Sequence, residues 1–406
     1  MQKNFLAIFI FLSLMSNSYG IERGKILRAN IITDDNVTVA YTQKVYKLTY
    51  LGTPYKKERL HTLLNKISKQ ISINKESALK RYFRDSSQTY KVLLYGLTRE
   101  QVGKIQKVLD NTSNKGFSFV LSGERRVYPY GDFLTPVLGY NKKLLDKATN
   151  FTYLDGVSGL EKEYDMILSE NPLIQAEDIH LSIDFIKQKS LEKEVDGLKA
   201  LYNAQEVISV ILDTENFHIK AFASSNRYNP TDIHRENMND LSIHGIQYLF
   251  QLESFATLVK DTLYLNTKNP KYEIYADLEL DRPSGIDLPY ERVYSNKDLY
   301  GFQNYKVNFM QLVKAYSLYF SGGYIANPKI VKFQDSDRRA IISKELAQKL
   351  KTQAEQFFGD MPGKRVTLEF EDKNVSANIY MTSYEKGNKQ YIKAYFTIYH
   401  SDETGI

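Results

Sequence analysis

The chain has 406 residues, of which 42% are hydrophobic and 25% are charged, and this is the composition of an ordinary globular protein. The length predicts two folded domains. The formal net charge is +6 without any polybasic block, and such a mild excess argues against nucleic-acid binding. The absence of cysteine excludes disulfides, thiolate metal sites and cysteine nucleophiles.

The histidines do not indicate a metal site. None has another histidine four residues away, which is the spacing that places two ligands on one face of a helix. The six are His61, His180, His218, His234, His244 and His400. No metal and no cofactor is therefore predicted.

The N-terminus has the pattern of an export signal. Lys3 precedes an apolar run over residues 5–15, which suits a signal peptide better than a membrane helix of about 20 residues. Ser18 and Gly20 are small residues at positions −3 and −1 of a candidate cleavage site. Extending the run to residue 21 reaches the lower length limit of a membrane helix. Residues 1–21 are therefore predicted to be either a cleaved signal peptide or an N-terminal membrane anchor.

Residues 22–177 have the pattern of a mixed α/β domain. Segments rich in β-branched and aromatic residues predict strands over residues 37–41, 45–50 and 117–121. Leucine and isoleucine at helical spacing predict a helix over residues 56–72. Thr98, with Gln101 three residues later, predicts the N-cap of a second helix.

Residues 178–406 predict a sheet with helices packed on it, which is an α+β architecture. The predicted strands are residues 179–184, 204–213, 218–223, 366–371, 377–381 and 391–399. The predicted helices are residues 186–201, 250–263 and 308–320. Polar turn residues between the second and third strands predict that these two form a hairpin.

Four motifs in a fixed order carry a resemblance to a known family. They are Glu22-Arg23-Gly24-Lys25-Ile26, Arg126-Val127-Tyr128-Pro129-Tyr130-Gly131, Gly156-Val157-Ser158-Gly159-Leu160-Glu161-Lys162-Glu163-Tyr164-Asp165 and Asp178-Ile179-His180-Leu181-Ser182-Ile183-Asp184. Together they resemble the motifs of class B penicillin-binding proteins, and the resemblance covers most of the chain after residue 22. It implies an α+β fold in which a pedestal or dimerisation-type domain, residues 22–177, precedes a reduced transpeptidase-like domain, residues 178–406.

The motif residues form a candidate structural site. They are Arg23, Gly24, Arg126, Tyr128, Pro129, Gly131, Gly156, Gly159 and Glu161. The glycines stand where tight turns need positive φ or a close approach of the backbone. The resemblance implies that Arg23, Arg126 and Glu161 form one charge-assisted network that holds the first domain against the second. The alternative is that the three are ordinary surface charges.

The resemblance also implies a reaction, in which a serine attacks a D-Ala-D-Ala peptide and the acyl group passes to an amine. The family carries it out with Ser-x-x-Lys, Ser-x-Asn and Lys-Thr-Gly. Ser254 takes the place of the nucleophile, but Thr257 stands where the lysine is needed, and a threonine hydroxyl is no base at neutral pH. Lys260 lies six positions after Ser254, on another face of a helix. Ser254 is therefore predicted to be a vestigial nucleophile.

Further serine–lysine pairs at this spacing lie outside the place that the motif requires, and chance explains them. They are Ser72 with Lys75, Ser77 with Lys80, Ser190 with Lys193, and Ser383 with Lys386. The second motif has no place after Ser254, because Ser224-Ser225-Asn226 precedes it and Ser376-Ala377-Asn378 comes over a hundred residues later. The third motif is expected in residues 378–384, which contain neither lysine nor glycine.

These losses favour one function among three that differ in class. The first is a non-catalytic, penicillin-binding-protein-like component of peptidoglycan synthesis that acts by protein–protein interaction in the bacterial envelope. The second is an active serine D,D-transpeptidase or carboxypeptidase that is acylated at Ser254 and binds penicillin. The third is a module that binds uncrosslinked peptidoglycan without acylation.

The resemblance also implies partners and a location. The partners would be other wall-synthesis or division proteins, such as a membrane glycosyltransferase or a catalytic paralogue, in division or in elongation. The location would be the inner membrane with a periplasmic body, or the periplasm if the chain is cleaved after Gly20.

Overall fold

The computed structural model describes residues 28–53, 55–84, 90–112, 114–148, 150–169, 175–233, 244–251, 277–295, 305–332, 337–370 and 373–399. Within these ranges no helix combines the length and the apolar character needed to cross a membrane. The predicted signal peptide or anchor, residues 1–21, lies outside the described residues.

The first half of the chain folds around a mixed sheet. Its strands are β1 (Ile31–Ile32), β2 (Thr38–Leu51), β3 (Tyr90–Leu97), β4 (Phe117–Val127), β5 (Asn141–Asp146), β6 (Phe151–Gly156) and β7 (Ile179–His180). They follow the order β5-β6-β4-β2-β1-β7. Strand β4 pairs along one edge of β2, and β3 pairs with the end of β2 on the opposite edge, which it shares with β1. The long β2 thus connects two regions, because β1 pairs with its beginning and β3 with its end.

Six helices accompany this sheet in the described residues. They are α1 (Lys57–Ser68), α2 (Lys75–Phe83), α3 (Arg99–Asp110), α4 (Thr135–Leu138), α5 (Gly159–Glu163) and α6 (Asp165–Leu168). The capping box predicted for α3 is confirmed: Gln101 donates its main-chain N–H to the Thr98 hydroxyl, and the Gln101 amide oxygen accepts from the Thr98 N–H.

Residues 38–127, from β2 to β4, form what we call the outer lobe. Its three longer helices bury leucine, isoleucine and tyrosine side chains against β2 and β3 in a core of their own. Tyr50, Tyr55 and Tyr82 are part of this core, and the rings of Tyr50 and Tyr55 meet edge-on with centroids 5.0 Å apart. The outer lobe therefore has a hydrophobic core separate from that of the rest of the chain.

The second half folds around an antiparallel sheet. Its strands are β8 (Glu206–Asp213), β9 (Ile219–Ser224), β10 (Leu249–Gln251), β11 (Lys306–Val307), β14 (Lys364–Phe370), β15 (Lys373–Lys386) and β16 (Lys389–Ile398), in the order β11-β10-β14-β15-β16-β8-β9. The short pair β12 (Tyr324–Ile325) and β13 (Arg339–Ala340) stands apart. The helices are α7 (Phe185–Leu201), α8 (His244–Gln247), α9 (Phe309–Ser317) and α10 (Lys344–Phe357). The predicted α+β class is confirmed.

One predicted helix is wrong where it can be compared. Residues 250–263 were expected to be helical, but Phe250 and Gln251 belong to strand β10, which pairs with β11 and β14. The remaining residues of that prediction lie outside the described ranges. A short apolar run does not reveal its period, and here the neighbouring strands decide the conformation.

A large hydrophobic core extends from the first half into the second. It includes Leu160 and Leu168 beside the first sheet and Ile208 and Phe396 in the second sheet. The Phe309 ring of α9 stacks on Phe396 with centroids 5.3 Å apart. Strand β16 therefore anchors this core, since it is a central strand with one neighbour on each side.

The two halves are joined by hydrogen bonds as well as by this core. β1 pairs in parallel with β7, the strand through which the chain passes into the second half, so that Ile31 lies opposite Ile179. The Tyr164 hydroxyl donates to Asp287 at 3.1 Å, and Asp287 also accepts from main-chain N–H groups of residues 330 and 331. These contacts position the motif segment that ends at Asp165 beside the second half.

We expect Phe396→Ala to lower the free energy of unfolding by about 3–5 kcal/mol, because it removes a fully buried ring and leaves a cavity. Ile186→Ala is the control, since Ile186 is 69% exposed at the start of α7 and should change stability little. Urea unfolding followed by circular dichroism measures both. Equal losses of unfolding free energy in the two variants would contradict the conclusion that β16 anchors the large core.

Candidate functional site

The buried centre of the motif residues is the carboxylate of Glu161, which is fully shielded from solvent. One oxygen accepts from Nε of Arg126 at 2.7 Å, and the other accepts from Nε of Arg28 at 2.7 Å. The Tyr128 hydroxyl donates to the first oxygen at 3.2 Å. Two guanidinium groups and a phenol thus satisfy one carboxylate, which is what a buried charge requires.

Arg28 connects this carboxylate to the segment that follows it. Its Nη1 donates to the Asp165 carboxylate at 2.6 Å and to the Ser169 hydroxyl at 2.7 Å. Its Nη2 donates to the main-chain oxygen of Glu161 at 2.6 Å. With Arg126 included, two positive and two negative groups meet, so the cluster is electrically balanced.

The ionisation of the cluster follows from its surroundings. Burial alone would raise the pKa of Glu161, but the guanidinium groups of Arg126 and Arg28 outweigh it and hold this pKa below its ordinary value. Burial and the neighbouring Glu161 raise the pKa of Tyr128 well above its ordinary value. Glu161 is therefore an anion and Tyr128 a neutral donor at physiological pH.

Two of the predicted glycines allow the backbone to fold tightly around this cluster. A Cβ atom on Gly156 would lie 1.9 Å from the main-chain oxygen of Glu161. Gly159 has a φ of +57°, and a Cβ atom there would lie 2.4 Å from the main-chain oxygen of Val137. Both close approaches exclude any side chain.

The other motif residues are less involved. Pro129 and Gly131 lie in the turns after β4, where Gly131 has a φ of +66° and nothing near its Cβ position. Arg23 and Gly24 lie outside the described residues. Glu161 pairs with two arginines, Arg126 and Arg28, and Arg28 is not predicted from the sequence. No spacing rule relates a residue to a partner over a hundred residues away.

The cluster lies within the first half of the chain. Every described partner of Arg28, Arg126 and Glu161 falls between residues 28 and 169. The expected contact across the two domains is therefore made by other groups, such as Tyr164 with Asp287. The cluster instead joins the beginning of the first half to its end.

The predicted nucleophile, Ser254, lies outside the described residues, but β10 ends three residues before it. The third catalytic motif is expected from the sequence in residues 378–384, which belong to β15. The strand beside β10 is β14 instead, since Phe250 pairs with Leu368. β14 reads Lys-Arg-Val-Thr-Leu-Glu-Phe, so it also lacks Lys-Thr-Gly, and this triplet occurs nowhere in the sequence.

The buried lysines of the second half are engaged in the described structure. Lys314 is 1% exposed, and its Nζ donates to Glu279 at 2.6 Å, to Asn327 at 2.6 Å and to the main-chain oxygen of Ser284 at 3.1 Å. Burial lowers the pKa of Lys314 while Glu279 acts in the opposite direction. All three N–H bonds are nevertheless used. Lys220 pairs with Asp34 at 3.0 Å.

The Ser-x-Asn sequences at residues 224–226 and 376–378 also have local roles. Ser224 at the end of β9 donates to the buried Glu206, and its hydroxyl accepts from the main chain of Asn226. Asn378 in β15 donates to the Tyr399 hydroxyl at 3.3 Å. Their described contacts are those of strand ends rather than of a catalytic loop.

We expect Glu161→Gln to lower the free energy of unfolding at neutral pH by about 3–5 kcal/mol, because two buried guanidinium groups lose their counterion. The folded-state pKa of Glu161 is lowered, so its contribution is present above about pH 4.3 and is lost as pH falls through that folded-state pKa. The difference between wild type and variant should therefore shrink in acid. Urea unfolding between neutral pH and acid measures it.

Glu100→Gln is the matched control, because Glu100 forms an exposed pair with Lys104 one helical turn away. That variant should differ little from wild type at any pH. A Glu161→Gln difference that stays constant down to strong acid would contradict the assignment of the buried anion.

We expect Gly156→Ala to destabilise the fold by roughly 3 kcal/mol or more, since its Cβ would overlap the Glu161 carbonyl. Gly103→Ala is the control, because this glycine lies within α3 with nothing near its Cβ position. Alanine there should raise the free energy of unfolding by about 0.5–1 kcal/mol. Thermal unfolding compares them. Gly156→Ala should lower the melting temperature and Gly103→Ala should raise it. A shift in the same direction for both variants would contradict the prediction.

The comparison with family models assigns the first half of the chain. Residues 23–172 match the model of the penicillin-binding protein dimerisation domain. This range contains the whole buried cluster. A comparison with curated proteins by sequence finds no match.

Solved structures match nearly the whole chain. Penicillin Binding Protein 2X from Streptococcus thermophilus matches with a TM-score of 0.69 and 13% identity, over 92% of this chain and 76% of that one. A peptidoglycan synthetase from Bifidobacterium adolescentis matches with a TM-score of 0.57 and 14% identity, over 92% and 91%. Penicillin-Binding Protein (PBP2), solved with MreC from Helicobacter pylori, matches with a TM-score of 0.62 and 16% identity, over 91% and 93%.

Identities this low establish a shared fold, and the family model independently assigns the first domain. Both agree with the motifs that the sequence analysis recognised. Residues 23–172 therefore match the penicillin-binding protein dimerisation domain, and the chain as a whole shares the fold of penicillin-binding proteins.

Proposed function

We propose that the chain is a non-catalytic, penicillin-binding-protein-like component of peptidoglycan synthesis that acts by protein–protein interaction. The observation that carries this proposal is that the sequence has no lysine three residues after Ser254, the place of the serine nucleophile. Thr257 replaces the lysine of Ser-x-x-Lys, and Lys314, the most deeply buried lysine described in the second half, donates to three acceptors.

The reaction needs such an amine. A serine hydroxyl becomes a nucleophile only when a base within hydrogen-bond reach accepts its proton. Lys314 cannot take this part, because releasing its contacts would leave Glu279 and Asn327 without their buried donor. The missing Lys-Thr-Gly removes the groups that would hold the substrate carboxylate. Groups that act as one unit leave little activity once they are lost.

The scaffold supports the interaction role. The buried cluster around Glu161 retains its ion pairs, and the dimerisation domain matches its family model over residues 23–172. One similar structure is a complex between a penicillin-binding protein and MreC. By analogy, we propose that the partners are other wall-synthesis, division or shape proteins of the envelope, and that residues 1–21 direct the chain to the inner membrane or the periplasm.

We expect no covalent label when the folded full-length chain is incubated with a fluorescent penicillin and separated on a denaturing gel. A catalytic penicillin-binding protein in the same gel is the positive control. Thr257→Lys, which restores an amine three residues after Ser254, is the matched variant and should also stay unlabelled because the other two motifs are missing.

Labelling of the wild type that disappears in Ser254→Ala would overturn the proposal in favour of an active D,D-transpeptidase or carboxypeptidase. Labelling of Thr257→Lys alone would show that the missing amine is the one barrier to acylation. Circular dichroism of each variant ensures that only folded protein is compared.

A further inference from the structure

The positive charge of the chain is concentrated in the outer lobe, residues 38–127. This segment contains 18 lysine and arginine residues and 6 aspartate and glutamate residues, a formal net charge of +12. The whole chain carries +6, so all other residues together carry −6. A lobe of this charge attracts acidic partners and orients their approach.

One edge of strand β3 in this lobe pairs with no strand among the described residues. β3 pairs with β2 from Tyr46 opposite Leu97 to Leu51 opposite Tyr90. Along its other edge, no main-chain hydrogen bond to any residue of the described ranges occurs. An 8-residue strand with a free edge is a template to which an extended segment can add.

The side chains around this edge are aromatic and cationic. Tyr90 is 43% exposed and Tyr95 is 52% exposed. The guanidinium of Arg81, in the last turn of α2, lies over the Tyr95 ring at 5.2 Å. Arg84 follows at the exposed end of the same helix. α2 and β3 contain one carboxylate, that of Glu76. It lies in the first turn of α2, whereas Arg81 lies in the last turn.

Two cationic groups here lack acceptors within the part of the chain that the structure describes. They are Nε of Arg81 and Nζ of Lys91, both shielded from solvent. Lys91 is 6% exposed, and it belongs to β3 itself. Buried donors without acceptors are costly, so a partner that supplies carboxylates would gain free energy on binding.

The same charges select against other occupants. An inward-facing lysine next to a free edge disfavours purely apolar strands. A second copy of this chain would bring another lobe of +12 against the first. A lipid surface would use positive charge but would leave the strand edge unpaired.

We infer that the free edge of β3 binds an extended, acidic segment of a partner protein, which adds to the sheet as a further strand. Main-chain hydrogen bonds to β3 provide the register, and carboxylates meet Arg81 and Arg84. The tyrosines cover the apolar side chains of the added strand. This inference rests on the proposed interaction role, because it assigns the place where a partner docks.

The test uses three labelled peptides of 8 residues, the length of β3, and the full-length chain. The first alternates glutamate with valine, the second alternates lysine with valine, and the third is the first with two valines replaced by proline. Fluorescence anisotropy should show binding of the first peptide. The lysine peptide should not bind. The proline peptide should have an affinity lower by about tenfold or more, since proline cannot donate a hydrogen bond to a neighbouring strand.

Variants identify the place of binding. Arg81→Glu combined with Arg84→Glu should lower the affinity for the first peptide by about tenfold or more. Lys344→Glu with Lys349→Glu is the matched control on exposed positions of α10 and should change the affinity little. Hydrogen exchange gives a readout that needs no variant, because amides of residues 90–97 should become protected when the first peptide binds.

Three outcomes would overturn the inference. Equal binding of the two acidic peptides would mean electrostatic attraction without strand addition. No binding, or binding without protection of β3, would exclude this edge. The third outcome is that no peptide binds and the chain instead sediments with anionic phosphatidylglycerol vesicles. If Arg81→Glu with Arg84→Glu abolished that sedimentation, the lobe would be assigned to a membrane. Penicillin acylation at Ser254 would contradict the non-catalytic role and leave these measurements unaffected.

Discussion

The fold of the first half depends on one buried carboxylate held between two guanidinium groups. Glu161 is stable as an anion in the interior only because Arg28 and Arg126 supply charge and the Tyr128 hydroxyl supplies a further donor. These partners come from the beginning of the chain, from β4 and from the segment after β6. Removing the carboxylate would leave two uncompensated cations, so the cluster fixes how three distant segments meet. Gly156 completes it, because no side chain fits where its backbone approaches Glu161.

This arrangement positions the second half as well. The segment that contains Glu161 continues to Tyr164, which donates to Asp287 in the other half, and β1 begins beside Arg28 and pairs with β7. The large core extends through the same region. The scaffold thus depends on ion pairs and packing that need no catalytic group. In the second half, charges such as Lys314 and Glu279 stabilise the interior, where they bind each other.

Scaffold and charge together favour a protein that works through its surfaces. The outer lobe has its own hydrophobic core, a formal charge of +12 and an unpaired strand edge within the described residues. The second half has the transpeptidase-like sheet, while its sequence has Thr257 three residues after Ser254 and contains no Lys-Thr-Gly. These features support the proposed role, in which the outer lobe docks an acidic segment of a wall-synthesis protein and the second half takes no part in acyl transfer.

The sequence by itself determined much of the local structure and the family. The Thr98 cap, the hairpin of β8 and β9 and the final strands follow from patterns within a few residues, where side-chain spacing and backbone hydrogen bonding act directly. The motifs carried the resemblance to penicillin-binding proteins, and Thr257 predicted the loss of the base. Only the tertiary structure decided that Phe250 lies in a strand, that β14 rather than β15 flanks it, and that Arg28 pairs with Glu161. Each of these depends on pairing between segments far apart in the chain, and the periodicity of a single segment contains no information about its distant partner.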